Sequence, residues 1–306
     1  MSNEARAGVT IVGSANMDIV FTVERTPQPG ETLLAESAAR FPGGKGLNQA
    51  VAAARAGAAT RFIGGIGHDE NGTVLAATIA DAGIAGDLVR RAPVPTGQAF
   101  IVVDGSGENT IIVASGANAT VTELGPADRA ALDSTAVLLM QLELPLGVVR
   151  SAAAEVHRAG GVVILNAAPA RELPRELLAD LDYLIVNEHE ACLIGGSEDL
   201  DAASTTLAAL VDRLVVTLGA AGSVIFAGGI EAGRIAAPRV DPVDTTGAGD
   251  TFCGAFAAAI AEGADFADAA RFATAAAALS VQVVGAVPSV PDRSAIDAAL
   301  EVRSAG

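Results

Sequence analysis

Apolar, β-branched runs of strand length recur along the chain at residues 9–12, 61–63, 136–142, 162–165, 183–186 and 214–217. Ala- and Leu-rich stretches of helical length fall between several of them, at 49–56, 74–82 and 146–159. A strand that is apolar along its whole length must be covered on both faces. Such strands alternating with helices predict an α/β chain with a mostly parallel central sheet and helices on both sides. Ligands on such sheets bind at the carboxyl ends of the strands, so the residues that follow each run are the first candidates for function.

Two segments break the pattern. Residues 17–40 and 97–114 read as short strands joined by turns, at 18–23, 32–35, 98–103 and 110–113. Pro27, Pro29 and Gly30 punctuate the first pair, and Gly105 and Gly107 the second. This predicts a small antiparallel sheet projecting from the main domain as a lid, able to keep water from a bound substrate. With 306 residues, two domains of roughly 150 residues are possible. The recurring pattern instead suggests one large domain, 1–306, that carries the lid.

Composition narrows the partners. At 51% hydrophobic residues the chain is no disordered polymer. Its 19 basic against 36 acidic residues give a formal charge of −17, which argues against nucleic acid and anionic lipid, because phosphate contacts need a basic face. With no Trp and one Tyr, stacking platforms for bases are scarce too. Cys192 and Cys253 cannot build a disulfide framework or a zinc site. His68, His157 and His189 are scattered, with no order that suggests a hydrolase triad. Residues 272–291 carry no charge and are long enough to span a bilayer. They are rich in Ala, the strongest helix former, and Gly285 and Pro288 break their second half, so a buried helix followed by a loop is expected. The first 14 residues carry Glu4 and only a short apolar run, unlike a signal peptide, and a cytoplasmic protein is expected.

The string Val243-Asp244-Thr245-Thr246-Gly247-Ala248-Gly249-Asp250-Thr251-Phe252 precedes a helix-forming run at 254–261. Small residues before a helix leave its first N–H groups accessible, with the positive end of the helix dipole behind them, a setting that accommodates a phosphoryl group. Asp250 in the first turn could accept a proton from an attacking hydroxyl beside that anion hole. The same residues also fit a tight turn with Asp250 as an ordinary cap. A second cluster follows the first strand: Gly13-Ser14-Ala15-Asn16-Met17-Asp18, then Phe41-Pro42-Gly43-Gly44-Lys45-Gly46-Leu47-Asn48-Gln49. Asp18 can accept from two neighbouring hydroxyls, Lys45 and Asn48 supply donors, and Gly43 and Gly44 let backbone approach a ligand.

Together these strings resemble the signatures of the ribokinase-like, or PfkB, carbohydrate kinases. The resemblance runs from Gly13 to about Pro291 and leans toward the ribokinases within the family, through 41–52, 116–118, 140–143, 167–174 and 285–291. It implies a Rossmann-like, ribokinase-like fold. It also implies Asp250 as catalytic base, an anion hole from Gly247, Ala248, Gly249 and Asp250, and sugar contacts from Asn16, Asp18, Gly43, Gly44, Lys45, Asn48, Glu143 and Asp250. The pair Asn187 and Glu190 matches a motif that positions magnesium and phosphate through water, which suits an ion that keeps several of its waters. Thr217, Gly219, Ala220 and Gly222 match the loop that holds the phosphates and ribose of ATP, with Gly249 and Thr274 nearby. No G-x-x-x-x-G-K-[ST] sequence occurs, and Gly64-Gly65-Ile66-Gly67 lacks the spacing of a dinucleotide turn, which disfavours P-loop kinases and Rossmann oxidoreductases. A potassium site is implied at Asp244, Thr246, Ser280, Val283, Gly285 and Ser289, mostly through backbone carbonyls. Two positions depart from the ribokinase pattern: Ala167, where Pro is common, and Thr274, where a polar ring or amide is often found.

The expected activity is ATP-dependent phosphorylation of the primary 5-hydroxyl of D-ribose, with Mg2+ accompanying ATP, K+ as activator, and a homodimer paired through the lids. A nucleoside, deoxyribose or hexose acceptor is the alternative within the family. A non-catalytic sugar or nucleotide sensor is the alternative from another class.

Overall fold

The computed structural model describes residues 7–105 and 109–304. The strands are β1 (Ala7–Val12), β2 (Asn16–Thr22), β3 (Ser37–Gly43), β4 (Thr60–Gly67), β5 (Val89–Ala92), β6 (Gly97–Val103), β7 (Asn109–Ala114), β8 (Thr135–Met140), β9 (Val162–Asn166), β10 (Tyr183–Asn187), β11 (Arg213–Thr217), β12 (Ser223–Ala227) and β13 (Ile230–Ile235). The helices are α1 (Lys45–Arg55), α2 (Glu70–Asp81), α3 (Pro126–Asp133), α4 (Leu146–Ala159), α5 (Arg175–Ala179), α6 (Glu188–Gly195), α7 (Leu200–Ala208), α8 (Ala248–Ala261), α9 (Phe266–Ser280), α10 (Ala286–Ser289) and α11 (Arg293–Ser304).

Nine strands form the main sheet in the order β13-β12-β11-β10-β9-β8-β1-β4-β5. Pairing is parallel from β5 to β11; β12 and β13 add an antiparallel edge. Side chains alternate between two cores, as a two-residue period requires. Val9 and Ile11 of β1 and Val137 and Leu139 of β8 join one apolar cluster; Val12, Leu138 and Met140 join the other. The first cluster is closed by α1, α8 and α9, and the second by α4, α5 and α7. The chain leaves β1 toward β4 and β5 and later returns to the opposite side of β1 with β8, so the strand order reverses there. That reversal opens a crevice at the carboxyl ends of β1 and β8.

The uncharged stretch 272–291 becomes the second half of α9, a turn and the four-residue α10, and among the described residues no helix is long and apolar enough to cross a membrane. Helices α8 and α1 approach closely because Gly254 has no side chain; a Cβ there would lie 2.4 Å from the Gln49 carbonyl oxygen.

The second sheet has the order β3-β2-β6-β7 and differs from expectation in two ways. Residues 32–35 are not a strand. The partner of β2 is β3, whose Ser37–Gly43 sequence contains no β-branched residue; pairing with β2 overrides a weak local preference, and Pro42 is tolerated because β3 lies at the sheet edge. The sheet is also not wholly antiparallel. β2 pairs antiparallel with β3, and β6 with β7, but β2 and β6 in the middle run parallel. Two hairpins are thus joined side by side. The turn between β6 and β7 contains Gly105, whereas Gly107 lies outside the described residues.

Candidate active site

A cleft of about 430 Å3 opens where the small sheet overhangs the carboxyl ends of β1, β8, β9, β10 and β11. It is lined by Asn16, Asp18, Gly44, Lys45, Asn48 and Glu143 on one side, and by Asn187, Glu190, Thr217, Thr246, Gly247, Gly249 and Asp250 on the other. Residues nearly 240 positions apart in sequence therefore face one volume.

The N-terminus of α8 forms the floor. Gly247 caps the helix with φ 75°, a left-handed conformation that favours glycine, and a Cβ there would also lie 2.8 Å from that of Ala286. Ala248 N–H donates to the Thr245 carbonyl at 3.2 Å and does not line the cleft. The Gly249 and Asp250 N–H groups have no partner among the described residues. Gly249 faces open space. Of the four amides singled out from the sequence, that of Ala248 alone has a backbone partner among the described residues. Asp250 sits in the first helical turn, buried, with Oδ2 accepting from Asn48 Nδ2 and Oδ1 from Gln49 Nε2, each at 2.9 Å.

Across the cleft, Asn16 Oδ1 accepts from Asn118 Nδ2 at 2.8 Å, which turns the Asn16 amide nitrogen toward the volume. Glu143 Oε2 accepts from the Ser14 hydroxyl and from Lys45 N–H at 3.2 Å. Gly43 stands directly against Asp18, where a Cβ would come 2.1 Å from Oδ2. Burial, reinforced by Glu143 and Asp250, pushes the Asp18 carboxyl up to about 7. Burial works against the Lys45 ammonium, yet Asp250, Glu143 and Glu190 outweigh it and hold its pKa above the ordinary value.

At the other end, Asn187 and Glu190 form a reciprocal cap of α6: Asn187 Oδ1 accepts from Glu190 N–H at 2.8 Å, and Glu190 Oε2 from Asn187 N–H at 2.9 Å. Glu190 Oε1 remains available, and burial raises this carboxyl despite Asn187 and Lys45. Thr217 ends β11 and lines the cleft; Gly219 and Ala220 lie just beyond, in a 3-10 turn off its wall that Gly222 closes. Thr274 is inside α9, with its hydroxyl donating to the Ala270 carbonyl at 2.8 Å, away from the cleft.

Asp244 ties the loop before α8 to the one before α10, with Oδ1 accepting from Thr246 N–H at 2.9 Å and Oδ2 from Gly285 N–H at 2.8 Å. Those N–H groups hold its carboxyl below the usual range against the cost of burial. Ser280, Val283 and Ser289 belong to the same corner of α9 and α10, where the Ser289 hydroxyl donates to the Ala286 carbonyl at 2.8 Å. Among the described residues no group of three or more His, Cys, Asp or Glu side chains could hold a metal ion.

Gln49 bonds Asp250, Asn166 and Gln141 bond Gln49, and none of these three, Gln49, Asn166 and Gln141, was singled out as a site residue from the sequence. The last two follow or end strands, which was the available signal; Gln49 offered only a polar residue within an Ala-rich helix. The lid contributes Ala99, Ile101, Asn109, Ile111 and Val113, every second residue of β6 and β7, a period readable in retrospect. Cys253 also faces the cleft, and burial pushes its thiol up.

Fold, cleft and floor can be set beside known proteins. Residues 6–293 match the model of the pfkB family carbohydrate kinase. The chain is 41% identical to ribokinase of Haemophilus influenzae over 94% of its own length and 96% of the relative's. It is 38% identical to ribokinase of Arabidopsis thaliana, over 94% and 79%. The solved structure of Arabidopsis thaliana ribokinase complexed with ribose and ATP superposes with a TM-score of 0.89 at 37% identity, covering 96% of this chain and 99% of that one. The molecule is thus a carbohydrate kinase. It belongs to the pfkB family.

Proposed function

We propose that this kinase transfers the γ-phosphoryl group of ATP to the 5-hydroxyl of D-ribose. The observation that carries the proposal is the convergence on one cleft of an oriented carboxylate, Asp250, unpaired amides at the start of α8, and Asp18 opposite them. The similarity to ribokinases, one of them solved with ribose and ATP, supports the substrates. Asn16, Asp18, Lys45, Asn48 and Glu143 hold the sugar hydroxyls. Asp250 takes the proton from the attacking hydroxyl, while the Gly249 and Asp250 amides meet charge developing on the transferring group. Ala99, Ile101, Ile111 and Val113 cover the sugar and limit transfer to water.

Glu190, with one free carboxylate oxygen, and Asn187 fit a hydrated magnesium ion held through its waters; that ion would neutralise charge on the ATP phosphates. Asp244, with the carbonyls of Thr246, Ser280, Val283 and Gly285 and with Ser289, fits a potassium ion that would brace the floor. We place the protein in the cytoplasm as a homodimer. The dimer rests on β7, an edge strand exposed along its whole length, with Ile112 67% accessible on the side facing away from the cleft.

ADP formation measured with Mg-ATP across pentoses, hexoses and nucleosides, with and without potassium, tests this. Ribose should lead and potassium should raise its turnover. Adenosine or fructose outpacing ribose refutes the acceptor, and no turnover on any of them makes the molecule a sensor. Asp250→Asn should lower kcat by about a thousandfold or more with sugar binding retained.

A further inference from the structure

Two consecutive amides of α1 grip the two oxygens of Asp250, but they differ in surroundings. Asn48 lines the cleft; Gln49 is fully buried behind Asp250 and is no part of the cleft wall. Burying a glutamine amide is costly unless its groups are paired, and Gln49 pairs at both ends. Chemistry fixes the direction of the pairing. The ionised carboxylate only accepts, so Gln49 must turn its nitrogen toward Asp250 and its oxygen the other way. That oxygen accepts from Gln141 Nε2, at the end of β8. The same Gln49 nitrogen reaches Asn166 Oδ1, at the end of β9, at 3.1 Å. Asn166 Nδ2 donates to the Ile185 carbonyl at 3.3 Å, which fixes Asn166 in turn. A chain of side-chain amides therefore runs from two sheet strands through α1 to the first turn of α8.

We propose that Gln49 is a positioning residue for phosphoryl transfer: it holds the Asp250 carboxylate in one orientation, with Gln141 and Asn166 holding Gln49. The proposal rests on the reading of Asp250 as the base. Without the Gln49 donor, Asp250 Oδ1 loses its amide partner and the carboxylate is free to turn away from the attacking hydroxyl, while the groups that face the sugar stay in place.

The test is kcat and the sugar KM at saturating Mg-ATP for the intact enzyme, Gln49→Leu, Gln49→Glu and Gln141→Leu, with Asp250→Asn as reference. Gln49→Leu should lower kcat about 10- to 100-fold and leave the sugar KM within about threefold. Gln141→Leu should lower kcat by less, again with the sugar KM unchanged. Gln49→Glu keeps the volume and the bond from Gln141 but replaces the donor with a carboxylate that repels Asp250, so kcat should fall at least as far; this variant decides the matter if Gln49→Leu does not fold. An inactive Asp250→Asn combined with Gln49 variants that keep kcat within about threefold, or lose it only together with sugar binding, overturns the proposal. An Asp250→Asn enzyme with ordinary turnover overturns the base assignment itself, and the inference falls with it.

Discussion

Asp18→Asn offers a direct measure of what the cleft costs the empty fold. Asp18 is desolvated and faces Glu143 and Asp250, so the folded chain keeps its proton up to about pH 7, whereas an unfolded chain releases it near 3.8. A carboxyl whose folded pKa is raised contributes no penalty below its unfolded value. Stability is lost as pH climbs through the window from 3.8 to about 7, where the unfolded chain has given up its proton and the folded chain has not. Above about 7 the loss is complete, worth about 4 kcal/mol at roughly 1.4 kcal/mol per pH unit. Asn is nearly isosteric and does not titrate. The variant should match the parent near pH 4 and exceed it increasingly toward pH 8, by about 6 °C in melting temperature for a chain of 306 residues. Thermal unfolding of both ligand-free proteins at intervals from pH 4 to 8 measures the difference. Ribose should raise the melting point of the parent and leave that of the variant nearly unchanged. Two melting curves that stay parallel across the whole range would show that folding does not shift the titration of Asp18, and the account of a desolvated carboxyl facing Glu143 and Asp250 would be wrong.

Three further substitutions probe the floor, the lid and the helix contact. Gly247→Ala imposes a side chain at φ 75° and 2.8 Å from Ala286 Cβ; it should cost about 1–3 kcal/mol in urea unfolding and raise the KM for ATP more than that for sugar. Ile112→Glu, on the outer side of β7, should convert a dimer to a monomer in light scattering without unfolding the chain. Gly254→Val, with backbone of α1 only 2.4 Å from the new Cβ, should destabilise by more than 2 kcal/mol, about the cost of overpacking. A melting point unchanged by it would show that the two helices can slide apart freely.

The parallel sheet was legible because burial on both faces leaves uninterrupted runs of Val, Ile and Leu, and α4 coincides with the Leu- and Ala-rich stretch at 146–159. What escaped was structure made by pairing alone. β3 has no apolar run, and its strand exists because every residue from Ser37 to Gly43 lies opposite one of β2. The parallel contact of β2 with β6 joins segments some eighty residues apart, which no local pattern encodes. The site divides in the same way. Asp250 and the glycines before it carry their chemistry in sequence order, since a helix start is a local event. Gln49, Gln141 and Asn166 are informative only once three elements meet. Thr274 shows the converse: a position singled out by likeness is buried, with its hydroxyl bound to its own helix.

The charge on the chain gains a meaning from the cleft. Its lining carries four carboxylates, Asp18, Glu143, Glu190 and Asp250, against one ammonium, Lys45. A nucleotide with several negative charges therefore enters a volume that is itself negative, on a protein of formal charge −17. On the proposed reading, attraction comes from dipoles at the start of α8 and from cations that travel with the nucleotide, since the lining offers no clamp of Lys or Arg. Those two kinds of site answer differently to salt. A clamp of exposed basic side chains loses affinity as salt screens it. Here the long-range field repels the nucleotide, and screening weakens that repulsion while leaving amides that act at contact distance untouched. Raising inert salt from about 20 to 200 mM shortens the Debye length from roughly 20 to 7 Å, so at saturating magnesium the affinity for ATP should stay level or rise. A steep fall would mean that basic side chains carry the phosphates, and would point away from the helix start as the anion site.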